Sequence, residues 1–166
     1  MNSLRLARLG ALFAALFLAG CDIPEVNPQP MSFVATPLNP GETPELRKLV
    51  NTYADAYDVP RSLVHKVIQR ESDYRAEARN GPYYGLMQIL PATARGMGFA
   101  GSSGELLNPE ENLRWGVKYL RGAWLLSETE NEAVMHYARG YYHAARDQCM
   151  LVETELAERE TLRRCN

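Results

Sequence analysis

The placement of proline constrains this chain more than any other feature. Six of its ten prolines lie between Asp22 and Pro44: Pro24, Pro28, Pro30, Pro37, Pro40 and Pro44. Proline fixes φ and carries no backbone donor, so a stretch this dense builds neither a helix interior nor a central strand. Residues 21–42 are therefore read as an extended, weakly ordered tether, reaching about 3 Å per residue. Beyond it, prolines fall where helices can begin. Thr43 and Pro44 form a capping residue followed by proline at the first helical position. Pro60 precedes a new helical pattern, and Pro91 opens a short helix through Met97. Asn108, Pro109 and Glu111 supply a cap, a first-turn proline and a capping-box position.

Between these starts the apolar residues recur with the helical period. Leu46, Leu49, Val50, Tyr53, Ala54 and Tyr57 form one stripe. Val64, Val67 and Ile68 form a second, and Leu113, Val117, Leu120 and Trp124 a third. "NEAVMHYARGYYHAA" places Val134, Tyr137, Tyr141 and Ala145 on one face, and a last helix is expected near Val152 to Arg164. No stretch alternates convincingly, so the expected fold class is all-α. With 46% hydrophobic and 23% charged residues, the chain has the balance of an ordinary globular protein with one domain. That domain is expected to span 43–166. A net charge of −2 without a basic cluster argues against a nucleic-acid partner.

The first 20 residues read as a signal peptide: Arg5 and Arg8 precede an apolar run from Leu9 to Ala19 that is too short to span a bilayer. The sequence Leu18-Ala19-Gly20-Cys21 resembles the lipobox of bacterial lipoproteins. The resemblance implies cleavage before Cys21, acylation of its thiol, and a lipid anchor in the cell envelope facing the periplasm. An ordinary secreted protein is the alternative. With Cys21 lipidated, Cys149 and Cys165 remain as an expected disulfide pair in an oxidising compartment, although two free thiols fit the sequence too.

Glu71 lies at +7, +4 and +3 from Val64, Val67 and Ile68, and so points where the apolar side chains point. A helical glutamate ordinarily faces water. One at the end of an apolar stripe is partly desolvated, which disfavours the charged form and raises the pKa. A carboxylic acid still protonated near neutral pH is what general-acid cleavage of a glycosidic bond needs.

"ESDYRAEARN", "GLMQILPATA", "LLNPEENLRWGVKYL" and "HYARG" together resemble the lytic transglycosylase domain of soluble lytic transglycosylases and goose-type lysozymes. The resemblance covers roughly Tyr57 to Tyr142 and implies a lysozyme-like helical fold with a substrate cleft. It implies that Glu71 is the single catalytic glutamate and that Ser72 helps fix the site, with Tyr74 packing beneath the catalytic turn. Gly85 to Ile89 match a glycan-binding loop in which the Met87 backbone and the Gln88 amide hold sugar groups. Tyr137 matches a tyrosine whose hydroxyl lies close to the catalytic carboxylate. This chain departs from the pattern at Ala138, where the motif has asparagine and where Arg139 follows. It departs again at Ala76, and in the short "GPYY" loop, where Tyr83 and Tyr84 could supply stacking surface in the cleft.

Glycosidases that retain or invert usually use two carboxylates. No second acid sits inside these motifs, and Asp73 points about 200° around the helix from Glu71. One carboxylate suits chemistry in which the substrate supplies the nucleophile. The family's reaction cleaves the bond between N-acetylmuramic acid and N-acetylglucosamine and forms a 1,6-anhydro end. The alternatives are a hydrolytic lysozyme and a non-catalytic peptidoglycan-binding lipoprotein that recruits other envelope or secretion proteins. No cofactor is implied. His65, His136 and His143 lack metal-ligand spacing, with His65 expected to face solvent and His143 to lie on a helix surface. No Ser/His/Asp signature is present.

Overall fold

The computed structural model describes residues 36–165. The leader, Cys21 and the first part of the tether lie outside the described residues. Among these residues six α-helices run in the order α1 (Pro44–Ala56), α2 (Arg61–Ser72), α3 (Pro91–Gly96), α4 (Pro109–Leu125), α5 (Glu130–Arg139) and α6 (Tyr142–Asp147). A two-stranded antiparallel hairpin, β1 (Arg79–Asn80) and β2 (Tyr83–Tyr84), interrupts them between α2 and α3. The described residues are all-α apart from that hairpin, and no helix among them is long and apolar enough to cross a membrane.

Local chemistry sets the helix starts. The Thr43 side chain accepts from the Leu46 N–H, with Pro44 at the first position of α1. Asn108 accepts from the N–H groups of Glu110 and Glu111 at the start of α4. Glu111 does not complete a capping box, because its carboxylate instead accepts from Trp115 Nε1 at 3.0 Å. A reciprocal box does form at α5, between Thr129 and Glu132.

Helix α4 is the axis of the packing, touching α1, α3, α5 and a 3₁₀ turn at Ser103–Leu107. Its buried face (Leu113, Val117, Leu120 and Ala123) meets Val50 and Ala54 of α1, Leu63, Val64, Val67 and Ile68 of α2, and Val134 and Tyr137 of α5. Burying each Val, Leu or Ile among these contributes about 1.5–3 kcal/mol. A smaller cluster of Ile89, Ala94, Phe99 and Leu106 packs under Trp115 and Tyr119. Two glycines let neighbours reach the α4 backbone. A Cβ at position 116 would lie 2.6 Å from Met87 Sδ, and one at position 122 would lie 2.3 Å from Tyr141 Oη.

Three sequence expectations are corrected. The pattern from Glu130 to Ala145 is two helices, because the chain breaks at Gly140, whose φ of 81° is left-handed. No α-helix spans Val152 to Arg164. Positive φ at Cys149 and Glu155 confines this region to turns, held by Thr154 Oγ1 donating to the Met150 carbonyl at 2.6 Å, and only a 3₁₀ turn follows at Arg163–Cys165. The Cys149–Cys165 disulfide is formed, with Cα atoms 5.2 Å apart.

The third correction concerns the end of the tether. The compact unit begins at Thr36, and residues 36–42 are packed onto it. The Arg47 guanidinium donates to the carbonyls of Thr36 and Pro37 and to both oxygens of Glu42, whose side chain is fully buried. Asn39 donates to the same carboxylate from its backbone and its amide, at 2.8 and 3.0 Å. Burial pushes the Glu42 pKa up, but the hydrogen bonds from Arg47 and Asn39 and the charges of His65 and Arg47 outweigh it and hold the group below its ordinary value.

Candidate active site

Helix α2 carries Glu71 on its last turn and ends abruptly. Asp73 and Tyr74 both adopt positive φ, 49° and 61°. That is ordinary for aspartate but strained for a bulky aromatic residue. The Tyr74 ring is buried and its hydroxyl is fixed from two sides: Asn39 Nδ2 donates to it at 2.8 Å, and His65 Nδ1 lies 2.7 Å away. His65 is thus not solvent-facing as expected. It lies between α1 and the turn, with Nε2 3.1 Å from Asn51 Oδ1. Burial lowers its pKa, with Glu42 acting in the opposite sense. Tyr74 braces the turn after Glu71, while Asp73 caps α2 and stays exposed.

The Glu71 side chain is about one-quarter exposed, at 24%. Burial raises its pKa, and the Arg70 guanidinium, 3.6 Å away, pulls it back only in part. The carboxyl group opens into a cavity of about 240 Å³ lined by Arg70, Asn80, Tyr83, Gln88, Tyr137 and Ala138. Two more cavities adjoin it through shared residues, about 210 Å³ on the α5 side and about 290 Å³ beside Arg75 and Arg79. Among the described residues, Glu71 is the one carboxylate lining the three.

Of the residues singled out from sequence, Gln88, Tyr83 and Tyr137 meet Glu71 in this cleft. Gln88 has φ of 46°, and its Nε2 donates to the carbonyls of Ala78 and Gly85 at 3.0 and 2.9 Å. That grip leaves Oε1 buried without a partner, a costly state for an amide oxygen unless a ligand donor meets it. Tyr137 Oη donates to the Met87 carbonyl at 2.8 Å. Burial, then the neighbouring Glu71, Tyr119 and Tyr141, raise its pKa well above the usual phenol value, so it remains a neutral hydroxyl.

Ser72, Met87 and Tyr84 lie behind the cleft wall. Ser72 is buried, and its hydroxyl donates to the Leu86 carbonyl at 2.8 Å, tying the end of α2 to the "GLMQI" loop. Met87 is fully buried, its N–H donating to Asn112 Oδ1 at 2.8 Å. The Met87 N–H is thus engaged within the protein, and its carbonyl already accepts from Tyr137. Tyr84 lies under the Arg79 guanidinium, 4.8 Å from its ring centroid, and packs on the smaller core cluster. Adjacent strand residues point to opposite faces, so only Tyr83 of the pair faces the cleft.

Asn112 was not singled out from sequence. It is fully buried and makes three hydrogen bonds, accepting from Met87 N and donating to the carbonyls of Tyr84 and Leu106 at 2.7 and 2.8 Å. One side chain thereby fixes both sides of the loop that carries Gln88. A polar residue beside Leu113, inside the α4 apolar stripe, was the available signal. Among the described residues no three His, Cys, Asp or Glu side chains converge where a metal ion could sit.

The family model described as "Transglycosylase SLT domain" matches residues 48–149. That span includes Glu71, Gln88, Asn112 and Tyr137.

Proposed function

The chain belongs to the transglycosylase SLT domain family, whose all-α, lysozyme-like fold it has, and from that premise we propose that it is a peptidoglycan lytic transglycosylase with Glu71 as its single acid/base. The observation that carries this reading is a half-buried carboxyl group with a raised pKa, the one carboxylate among the described residues that line the cleft. Desolvation keeps a fraction of Glu71 protonated at higher pH than an exposed glutamate. The acid donates its proton to the oxygen bridging N-acetylmuramic acid and N-acetylglucosamine. The resulting carboxylate then removes the proton of the muramyl 6-hydroxyl as that oxygen attacks its own anomeric carbon. The C1–O4 bond breaks, a C1–O6 bond forms, and no water is consumed.

The other groups position the glycan. Gln88 Oε1 accepts from an N-acetyl N–H or a hydroxyl, and Tyr83 presents an aromatic face to a sugar ring. Tyr137, through Met87, holds the loop against Glu71. Lipidation at Cys21 would place this chemistry at a membrane of the cell envelope.

Incubation of the protein with purified sacculi, followed by muropeptide analysis, tests the reading. The expected products carry 1,6-anhydro ends, and Glu71→Gln lowers the rate by about 10²–10⁴-fold or more, the usual contribution of a positioned acid/base. Reducing muramic acid ends would make the protein a hydrolytic lysozyme. No products from the wild type would leave a peptidoglycan-binding protein.

A further inference from the structure

The cavity on the α5 side of the cleft is chemically unlike the one around Glu71. Its volume is about 210 Å³, and among the described residues no carboxylate lines it. Its lining includes Arg139, Thr93, Tyr119 and Tyr83, a guanidinium and three hydroxyl-bearing side chains. None of these donors is hydrogen-bonded to another described residue, and Arg139 is in no ion pair with one. Arg139 is the last residue of α5 and is exposed. Gly140 then turns the chain with positive φ, and a Cβ there would lie 3.7 Å from Tyr119 Oη. The turn that ends α5 thus brings the backbone beside Arg139 close to the tyrosine hydroxyl.

A concavity with an uncompensated guanidinium and three unused hydroxyl donors fits a planar anion. Guanidinium groups pair with carboxylates in fork geometry, and hydroxyls can complete the carboxylate's remaining acceptor positions. An uncharged sugar alone gives the guanidinium no opposite charge. The cavity shares Tyr83, Gln88, Tyr137 and Ala138 with the one holding Glu71, so a glycan seated at Glu71 continues into it.

We propose that this cavity is a carboxylate-binding subsite in which Arg139 selects glycans whose muramyl residue bears a free carboxylate. The inference rests on the glycan-cleaving reading above. The carboxylate has two chemical sources, the lactyl group of a muramyl residue stripped of peptide, and the carboxylates of an attached stem peptide. Arg139 is a specificity residue that takes no part in proton transfer.

Binding to the full chain carrying Glu71→Gln, which does not turn the ligand over, tests the proposal by calorimetry. The probes are muramyl-containing tetrasaccharides, stripped or stem-bearing, each with its carboxylates free or converted to methylamides. The free-acid form of at least one pair binds about three- to tenfold more tightly than its amide, the range for one partly exposed ion pair. Added Arg139→Gln collapses that ratio towards one, Arg139→Lys restores part of it, and raising the salt to about 0.5 M shrinks it. An advantage confined to the stripped pair assigns the lactyl carboxylate, and one confined to the stem-bearing pair assigns the peptide. Arg139 also sits at a helix C-terminus, where a cation stabilises the helix dipole. A purely structural role would change thermal stability and leave the acid-to-amide ratio intact. A ratio of one in the parent protein, or a ratio that survives Arg139→Gln, overturns the subsite while leaving the glycan reading in place. Failure of every glycan to bind overturns both.

Discussion

Asn112→Ala is the perturbation that most directly tests how the cleft is held. The substitution deletes three hydrogen bonds of 2.7–2.8 Å in a fully buried setting. It strands the N–H of Met87 and the carbonyl of Leu106, and removes one of the two donors to the Tyr84 carbonyl, which keeps the Ile89 N–H. No larger side chain could move in from Gly85, where a Cβ would already lie 2.3 Å from Asn112 Nδ2 and 2.4 Å from the Leu106 carbonyl oxygen. A net hydrogen bond contributes about 1 kcal/mol, and a stranded buried group costs about 1–3 kcal/mol. Allowing for partial rehydration, the expected loss is about 3–5 kcal/mol, a large share of the 5–15 kcal/mol typical of a domain. In a thermal melt this lowers Tm by about 10–20 °C, and chemical denaturation should show the midpoint falling at unchanged slope. Asn112→Asp keeps the acceptor for Met87 but turns a carboxylate towards two carbonyls, so it should be no better. A loss under about 1 kcal/mol for Asn112→Ala would show that the loop carrying Gln88 is held by its apolar contacts and not by this side chain.

Three further outcomes concern pH. The folded-state pKa of Glu42 is depressed, so its stabilising contribution is present above the unfolded value of 4.5 and is lost as pH falls through the folded value. Glu42→Gln should therefore be less stable than wild type at neutral pH, with the gap closing below pH 4.5 in urea titrations; a constant gap would contradict the depressed pKa. Glu71 has the opposite sign, a raised folded pKa, and Arg70 opposes the rise. Arg70→Gln should move the alkaline limb of the kcat/KM profile upward, because the acid stays protonated to higher pH. A downward shift would remove Arg70 from the electrostatics of the site. By the same linkage, Glu71→Gln should gain stability over wild type as pH rises through the Glu71 pKa.

Features set by neighbours in sequence were legible without a structure. Thr43–Pro44 and Asn108–Pro109 start helices because a capping oxygen and a missing donor act within one turn. Glu71 was legible because its spacing from Val64, Val67 and Ile68 fixes its direction. The break at Gly140 was hidden, because Tyr137 and Tyr141 keep helical spacing and are both buried although the chain turns between them. From the resemblance, Ser72 is expected to help fix the site and the Met87 backbone to hold sugar groups. Their partners, Leu86 and Asn112, lie 14 and 25 residues away, and only the folded chain shows that they face inward. Glu42 was read as tether because its partners Arg47 and His65 are on helices that the proline-rich composition says nothing about.

The grip of Arg47 on Thr36, Pro37 and Glu42 has a mechanical consequence. Any pull on the chain ahead of Thr36 enters the domain a few residues from Asn39, whose amide holds the Tyr74 hydroxyl beneath the turn that follows Glu71. The Arg47 clamp, rooted in α1, would pass part of that tension into the helix. Load on the N-terminal segment would thus reach α1 before it reached the turn after Glu71, and that turn would keep its register with the cleft.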